Sequence, residues 1–128
     1  MSVDTSSATI GPMGRTVLIV DDHEPFRRAA RELLTAEGYE IVGEAGDAAS
    51  AVSEALRLAP AIVLLDVQLP DVDGFEVARR LAAAGHAGVT ILVSGRAAGY
   101  GRRISESPAL GFILKGELTG AALASLLS

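Results

Sequence analysis

Three aspartates follow two apolar segments of this 128-residue chain, and their placement predicts a cation-binding site. The apolar run 17–20 leads into Asp21 and Asp22, and the run 62–65 leads into Asp66. If both runs are strands of a parallel sheet, their carboxyl ends lie at one edge, where such sheets bind ligands. Carboxylates that close together repel each other and resist ionising together. We therefore expect a cation to lie among them.

Two more polar residues end predicted strands and narrow the chemistry. Ser94 closes a fourth apolar run, and Lys115 follows a fifth. Mg²⁺ prefers carboxylate and carbonyl oxygens and leaves positions free for phosphoryl oxygens. Lys115 is the only lysine among 11 lysine and arginine residues, and a compact ammonium suits phosphate. The set predicts phosphoryl transfer, with Asp66 on the central strand as the residue that forms an acyl phosphate.

The elements that must position these residues alternate along the chain. Short apolar runs separated by longer amphipathic stretches are typical of βαβ units and a parallel sheet. The segment 95–108 is rich in glycine, which disfavours helix, so any fourth helix there is expected to be short or mobile. Strands are predicted at 16–21, 41–45, 61–66, 89–94 and 111–114. Helices are predicted at 25–37, 48–58, 75–84 and 117–127, with Asp47 as the N-cap of the second.

Several of these segments together resemble the receiver domain of bacterial two-component response regulators. They are the runs 17–23, 64–74 and 112–115, with Ser94 between the last two. The Asp-Asp-His start and the stretch 41–45 are similar to the NarL/FixJ (LuxR-type) group in particular. The resemblance implies a flavodoxin-like, doubly wound α/β fold, with five parallel strands in the order 2-1-3-4-5 and helices on both faces.

This resemblance covers about residues 15–127. We accordingly divide the chain into a leader, 1–14, which is predicted to be disordered, and a receiver domain, 15–128. The leader has no basic start followed by an apolar stretch, so it does not read as a secretory signal.

The resemblance also implies roles in metal binding. Asp22 and Asp66 would contact Mg²⁺ directly, Asp21 would act mostly through water, and the backbone carbonyl of Gln68 would complete the protein ligands. Asp66 would be the phosphoacceptor.

Three further residues match the part of the family pattern that handles and reports the phosphoryl group. Ser94 would donate a hydrogen bond to the group, Lys115 would pair with it, and Phe112 matches the aromatic switch residue. Phe112 also fits a plain core position. The chain departs from the family at Gly116, where proline is usual, and at Gly95, where alanine is usual.

The predicted function is a phosphorylation-dependent switch rather than a metabolic enzyme. A sensor histidine kinase would donate the phosphoryl group, and an output domain or partner protein would relay the signal, in the family commonly to transcription. Phosphorylation-linked homodimerisation is left open. Two alternatives stand beside this prediction: a degenerate receiver that binds a partner without phosphorylation, and a Mg²⁺-dependent phosphatase with an aspartate nucleophile. The phosphatase ranks lower, because such enzymes usually carry an acid where this chain has Gln68.

Composition excludes other classes of function. The net charge of −5 argues against direct nucleic-acid binding by this domain, and the pairs Arg27-Arg28, Arg79-Arg80 and Arg102-Arg103 are expected on solvated helix faces. No apolar run approaches the roughly 20 residues of a membrane span. With no cysteine there is no disulfide framework, and a cytoplasmic location is the simplest expectation.

Overall fold

A computed structural model describes residues 15–96 and 99–128, so the predicted leader lies outside the described residues. Within the described residues, five strands alternate with five α-helices, which are the four predicted helices and a short one in the glycine-rich segment, and a 3₁₀ turn precedes the last helix. The strands are β1 (Thr16–Val20), β2 (Glu40–Ala45), β3 (Ile62–Asp66), β4 (Val89–Ser94) and β5 (Gly111–Leu114). The helices are α1 (Glu24–Ala36), α2 (Ala48–Leu58), α3 (Gly74–Ala83), α4 (Gly101–Glu106) and α5 (Gly120–Leu127).

The strands form one parallel sheet in the order β2-β1-β3-β4-β5, which confirms the predicted fold class. Strand β1 lies between β2 and β3. The chain continues from β1 to β2 on one side and from β3 to β4 and β5 on the other, so the winding direction reverses between β1 and β3. Ligands of doubly wound sheets bind beyond the carboxyl ends of the strands at such a reversal. The topology therefore places any site beyond Val20 and Asp66.

Both faces of the sheet are apolar and covered by helices. Alternate strand residues such as Val17 and Leu18 point to opposite faces, and both are fully buried. Helices α1 and α5 cover one face, through Leu34 and Leu123. Helices α2 and α3 cover the other, where Phe75 is the largest buried side chain. Among the described helices, none is long and apolar enough to cross a membrane.

Capping residues set the helix ends. Gly38, at φ 99°, ends α1, and the Tyr39 N–H donates back to the Leu34 carbonyl at 3.0 Å, which is a Schellman cap. Asp47 caps α2, as predicted, by accepting from the Ser50 N–H at 2.7 Å.

The predicted start of the last helix is wrong. The prediction began that helix at Glu117, whereas α5 begins at Gly120 and a separate 3₁₀ turn spans Lys115–Glu117. The Thr119 side chain accepts from the Ala122 N–H at 2.9 Å, which caps α5 and interrupts the helical path. Lys115 therefore begins a short turn of its own.

Helix α4 is short, as its glycine content predicts: it has six residues and buries none of them. Tyr100, which precedes the helix, is buried and packs edge-on against Phe75 with ring centroids 5.8 Å apart. The Arg103 guanidinium lies over the Phe75 ring, 4.3 Å from its centroid, and pairs with Asp73 at 2.5 Å. Tyr100 and Arg103 thus connect this short helix to Phe75 of α3.

Candidate functional site

The acidic residues converge at the reversal point of the sheet. Asp21 and Asp22 follow β1, and Asp66 ends the adjacent strand β3. One carboxylate oxygen from each of the three lies within 4.8 Å of the others. Asp21 is fully buried, Asp66 is nearly so, and Asp22 is exposed at the mouth of the crevice. The structure thus brings together the three acids that the sequence singled out.

Lys115 reaches this crevice from the end of β5. Its Nζ lies 2.6 Å from Asp21 Oδ2 and 3.5 Å from Asp66 Oδ2. The ammonium also lies 4.6 Å from the centroid of the Phe26 ring, which limits its exposure. Lys115 therefore pairs more closely with Asp21 than with Asp66.

Backbone N–H groups hold one oxygen of each buried acid. The His23 N–H donates to Asp21 Oδ1 at 2.8 Å, and the Gln68 N–H donates to Asp66 Oδ1 at 3.2 Å. Among the described residues, none donates a well-aligned hydrogen bond to the buried Asp21 Oδ2, although the Lys115 ammonium is close. A buried carboxylate oxygen without a hydrogen bond is costly, so this atom is suited to a further cationic partner.

The environment of Asp66 disfavours its ionised form. Burial, and then the negative charge of Asp21, raise the pKa of Asp66 from 3.8 to about 6. The Lys115 ammonium and the Gln68 N–H oppose this rise without cancelling it. Before any cation binds, Asp66 is therefore a carboxylate of raised basicity at the end of the central strand, as suits a nucleophile or metal ligand.

Ser94 ends β4, a strand that neighbours β3. It is buried, and its Oγ accepts from the Arg96 N–H at 3.3 Å. Gln68 is exposed in the loop after Asp66. Phe112 is half-buried and packs against the core cluster that contains Tyr100, which suits a core role. Its role as a switch residue stays a prediction.

The donor set fits a hard divalent cation. The clustered ligand atoms of the acidic crevice are carboxylate oxygens, with no cysteine sulfur and no ring nitrogen among them. One of the carboxylate oxygens in the crevice, Asp21 Oδ2, is buried and accepts no hydrogen bond from the described residues. Mg²⁺ favours such oxygens, whereas zinc favours nitrogen and sulfur. The acidic cluster could therefore hold a metal ion.

The loop after Asp66 depends on a glycine. A Cβ on Gly74 would lie 2.3 Å from the Asp66 carbonyl oxygen and 3.0 Å from Val67 Cα, so the backbone would have to move. Gly74 N–H also donates to the Val67 carbonyl at 2.7 Å. The first residue of α3 thus packs directly on the backbone that carries Asp66.

Gly74→Ala is expected to lower the free energy of unfolding by about 2 kcal/mol, because the new methyl group overpacks this contact. Gly101→Ala is the matched control: Gly101 also begins a helix, but no described atom lies within 4 Å of its added Cβ. Urea unfolding should show a lower midpoint for Gly74→Ala and an unchanged or slightly higher one for Gly101→Ala. Equal midpoints for the two variants would contradict the steric argument.

Sequence reasoning missed two residues that brace the site from outside. Arg27 on α1 donates to the Asp21 main-chain carbonyl at 2.6 Å. Asp71 accepts from the Ala48 and Ala49 N–H groups at the start of α2, which ties the loop after Asp66 to that helix. Neither contact has a local sequence signal: Arg27 was expected on a solvated helix face, and no role was predicted for Asp71.

Fold and site together define the class of protein: a flavodoxin-like α/β domain with an acidic crevice at its switch point and a lysine reaching in from β5. Comparison with known proteins agrees. The chain matches the model of the response regulator receiver domain over residues 17–125. This chain therefore belongs to the response regulator receiver domain family.

Individual relatives are regulators of the same kind. The chain is 36% identical over 101 residues to the DNA-binding transcriptional activator EvgA of Escherichia coli K12, covering 78% of this chain and 50% of EvgA. It is also 36% identical over 101 residues to the transcriptional regulatory protein PdtaR of Mycobacterium tuberculosis H37Rv, covering 79% of this chain and 49% of PdtaR. The chain thus spans about half the length of these regulators.

A solved structure agrees with the fold and with the predicted group. A LuxR-family two-component response regulator from Aurantimonas sp. SI85-9A1 superposes with a TM-score of 0.80 at 28% identity, covering 89% of this chain and 86% of that one. The resemblance to the NarL/FixJ group is confirmed, and the matched proteins are regulators rather than metabolic enzymes.

Proposed function

We propose that this receiver domain accepts a phosphoryl group on Asp66 in the presence of Mg²⁺. The observation that carries the proposal is the meeting of Asp66 with Asp21, Asp22 and Lys115 at the switch point of the sheet. Asp21, Asp22, Asp66 and the backbone carbonyl of Gln68 would hold the ion. Its positive charge would offset the negative charge that gathers when a phosphoryl group enters the crevice.

The proposed reaction is a substitution at phosphorus. A carboxylate oxygen of Asp66 attacks the phosphorus of a phosphohistidine on a sensor histidine kinase, so that an O–P bond forms and the P–N bond breaks. The electron pair of the broken bond stays on the imidazole nitrogen. Lys115 exchanges part of its contact with Asp21 for the new phosphoryl oxygens, and the Ser94 hydroxyl donates a hydrogen bond to them.

Phosphorylation would then act as a switch through the face around β4 and β5. A new charge held by Ser94 and Lys115 favours a different packing of these strand ends, with Phe112 as the residue that turns. The domain would comprise residues 15–128. The relatives are DNA-binding and transcriptional regulators, and this chain spans about half of their length, so we propose a transcriptional output through a further domain or partner, acting in the cytoplasm.

A receiver that binds its partner without phosphorylation is the second candidate. The observation in its favour is the 2.6 Å approach of Lys115 to Asp21, which supplies a cation to the crevice without any metal. In that case, Mg²⁺ and phosphodonors would leave the domain chemically unchanged.

Labelling with phosphoramidate tests the proposal. With Mg²⁺, intact-mass spectrometry should show the addition of one phosphoryl group to the wild type, and EDTA should prevent it. Asp66→Asn should show none, whereas Glu32→Gln, which removes an exposed acid of α1, should label like the wild type. Unlabelled wild type under saturating Mg²⁺ would favour the second candidate, and persistent labelling of Asp66→Asn would overturn the assignment of Asp66.

A further inference from the structure

Arg27 joins three elements at the edge of the acidic crevice. It lies on α1, and its Nη1 donates to the main-chain carbonyl of Asp21 at 2.6 Å. Its Nε donates to Glu44 Oε1 near the end of β2 at 3.0 Å. The Arg27 side chain is only 20% exposed, so the expectation of a solvated arginine is wrong at this position.

Its neighbour Arg28 shows what a solvated arginine looks like on the same helix. The Arg28 side chain is 60% exposed and pairs with Glu24 one turn earlier. Such exposed pairs contribute little. Arg27 instead reaches from α1 to the residue after β1 and to Glu44 on β2, which indicates a role beyond helix stability.

Glu44 fixes the orientation of the Arg27 guanidinium. Its second oxygen, Oε2, accepts from Arg31 Nε at 2.7 Å, so both oxygens are occupied. Burial works to raise the pKa of Glu44, but the hydrogen bonds from Arg31 and Arg27 outweigh it and lower the pKa below its ordinary value. Glu44 is therefore an anion at neutral pH and a firm anchor for Arg27.

Both backbone groups of Asp21 are anchored as a result. Its N–H donates to the Ala45 carbonyl at 2.9 Å, and its carbonyl accepts from Arg27. The peptide plane that follows Asp21 leads directly to Asp22, which is exposed and has less packing of its own. The direction of Asp22 therefore depends on the bond from Arg27.

We propose that Arg27, held by Glu44, is a positioning residue that sets the affinity of the crevice for Mg²⁺ by orienting the Asp21–Asp22 peptide. The inference rests on the proposed metal site. Groups that orient metal ligands from outside typically change metal affinity by 10–100-fold when they are removed.

Loss of the Arg27 charge and loss of its positioning role predict opposite changes in the Kd for Mg²⁺. Removing a cation bonded to the Asp21 carbonyl would make the crevice more negative and would strengthen Mg²⁺ binding by Coulomb attraction. Loss of positioning would weaken binding instead. The direction of the change in Kd therefore separates the two effects.

Isothermal titration calorimetry with Mg²⁺ alone measures this change. Arg27→Gln is expected to raise the Kd for Mg²⁺ about tenfold, and Arg28→Gln, which removes the same charge from the exposed neighbour, should leave it within twofold. Glu44→Gln should also raise the Kd. The double variant Arg27→Gln/Glu44→Gln should be little worse than the poorer single variant, because the two residues act as one unit.

A second readout separates positioning from damage to the fold. Phosphoramidate labelling of Arg27→Gln should be slow at low Mg²⁺ and return to the wild-type maximal rate at saturating Mg²⁺. An unchanged or lower Kd, or a maximal rate that excess Mg²⁺ does not restore, would overturn the inference. Absence of Mg²⁺ binding by the wild type would instead contradict the proposed function, so the two failures are distinguishable.

Discussion

Lys115→Met is expected to lower the free energy of unfolding by about 3 kcal/mol in metal-free protein, because it leaves a buried charge without its partner. The Lys115 ammonium lies 2.6 Å from Asp21 Oδ2, and the Asp21 side chain is fully inaccessible to solvent. Methionine keeps an unbranched side chain of similar length. The loss therefore reports mainly on the charge.

Mg²⁺ should restore most of that loss. A cation that binds the folded state alone stabilises it by about 2.7 kcal/mol at a concentration 100 times its Kd. In the Lys115→Met variant this ion no longer competes with an ammonium for Asp21, so its binding should be tighter than in the wild type. The stability difference between wild type and variant should shrink accordingly.

Urea unfolding in EDTA and in saturating Mg²⁺ measures both effects. Arg28→Met serves as the control, since it removes an exposed cation of an i,i+4 pair, and its stability should change by no more than about 0.5 kcal/mol in either buffer. A Lys115→Met deficit of the same size in both buffers would show that the lysine does not substitute for a metal ion.

The sequence predicted the fold well where local signals were strong. The bounds of β4 and β5 match the predicted ones, because apolar runs there stop abruptly at polar residues or glycine. The start of α5 was misplaced because Glu117 and Leu118 are ordinary helix formers. The cap formed by Thr119 excludes both residues from α5. Because residues 117–127 look like one continuous run of helix formers, the sequence does not reveal that the helix begins only after Thr119.

The acids and the lysine of the site were predictable because topology alone brings strand ends to one edge. Asp21 and Asp66 needed only the right sheet order to meet. Arg27 was not predictable in this way, because its role depends on reaching Glu44, 17 residues away, and a backbone carbonyl. Contacts to main-chain atoms place no demand on residue type at the receiving end, so they leave no pattern in a single sequence.

Asp66→Asn is expected to stabilise the metal-free domain at neutral pH, because the ionised carboxylate of the proposed phosphoacceptor destabilises the folded state. The pKa of Asp66 is raised from 3.8 to about 6 by burial and by the charge of Asp21. The folded state therefore holds this proton more tightly than the unfolded chain does. By linkage, the Asp66 contribution makes the free energy of unfolding fall as pH rises from about 4 to about 6, and the penalty is fully present above that.

Asparagine removes this penalty. We expect Asp66→Asn to be about 1–2 kcal/mol more stable than the wild type at pH 7.5. This figure is smaller than the full linkage energy because solvent screens the charges. At pH 4 the two proteins should be nearly equal in stability. Saturating Mg²⁺ should erase or reverse the advantage, because the ion stabilises the Asp66 carboxylate of the wild type.

Urea unfolding of both proteins across this pH range, with and without Mg²⁺, checks the prediction. Asp71→Asn provides a control of opposite sign: hydrogen bonds from the Ala48 and Ala49 N–H groups lower the pKa of Asp71, so its loss should destabilise the domain at neutral pH and have less effect in acid. If Asp66→Asn were destabilising in EDTA at pH 7.5, repulsion among the carboxylates of the crevice would not be lowering the stability of the folded state. The need for an external cation, from which the magnesium proposal starts, would then lose its physical basis.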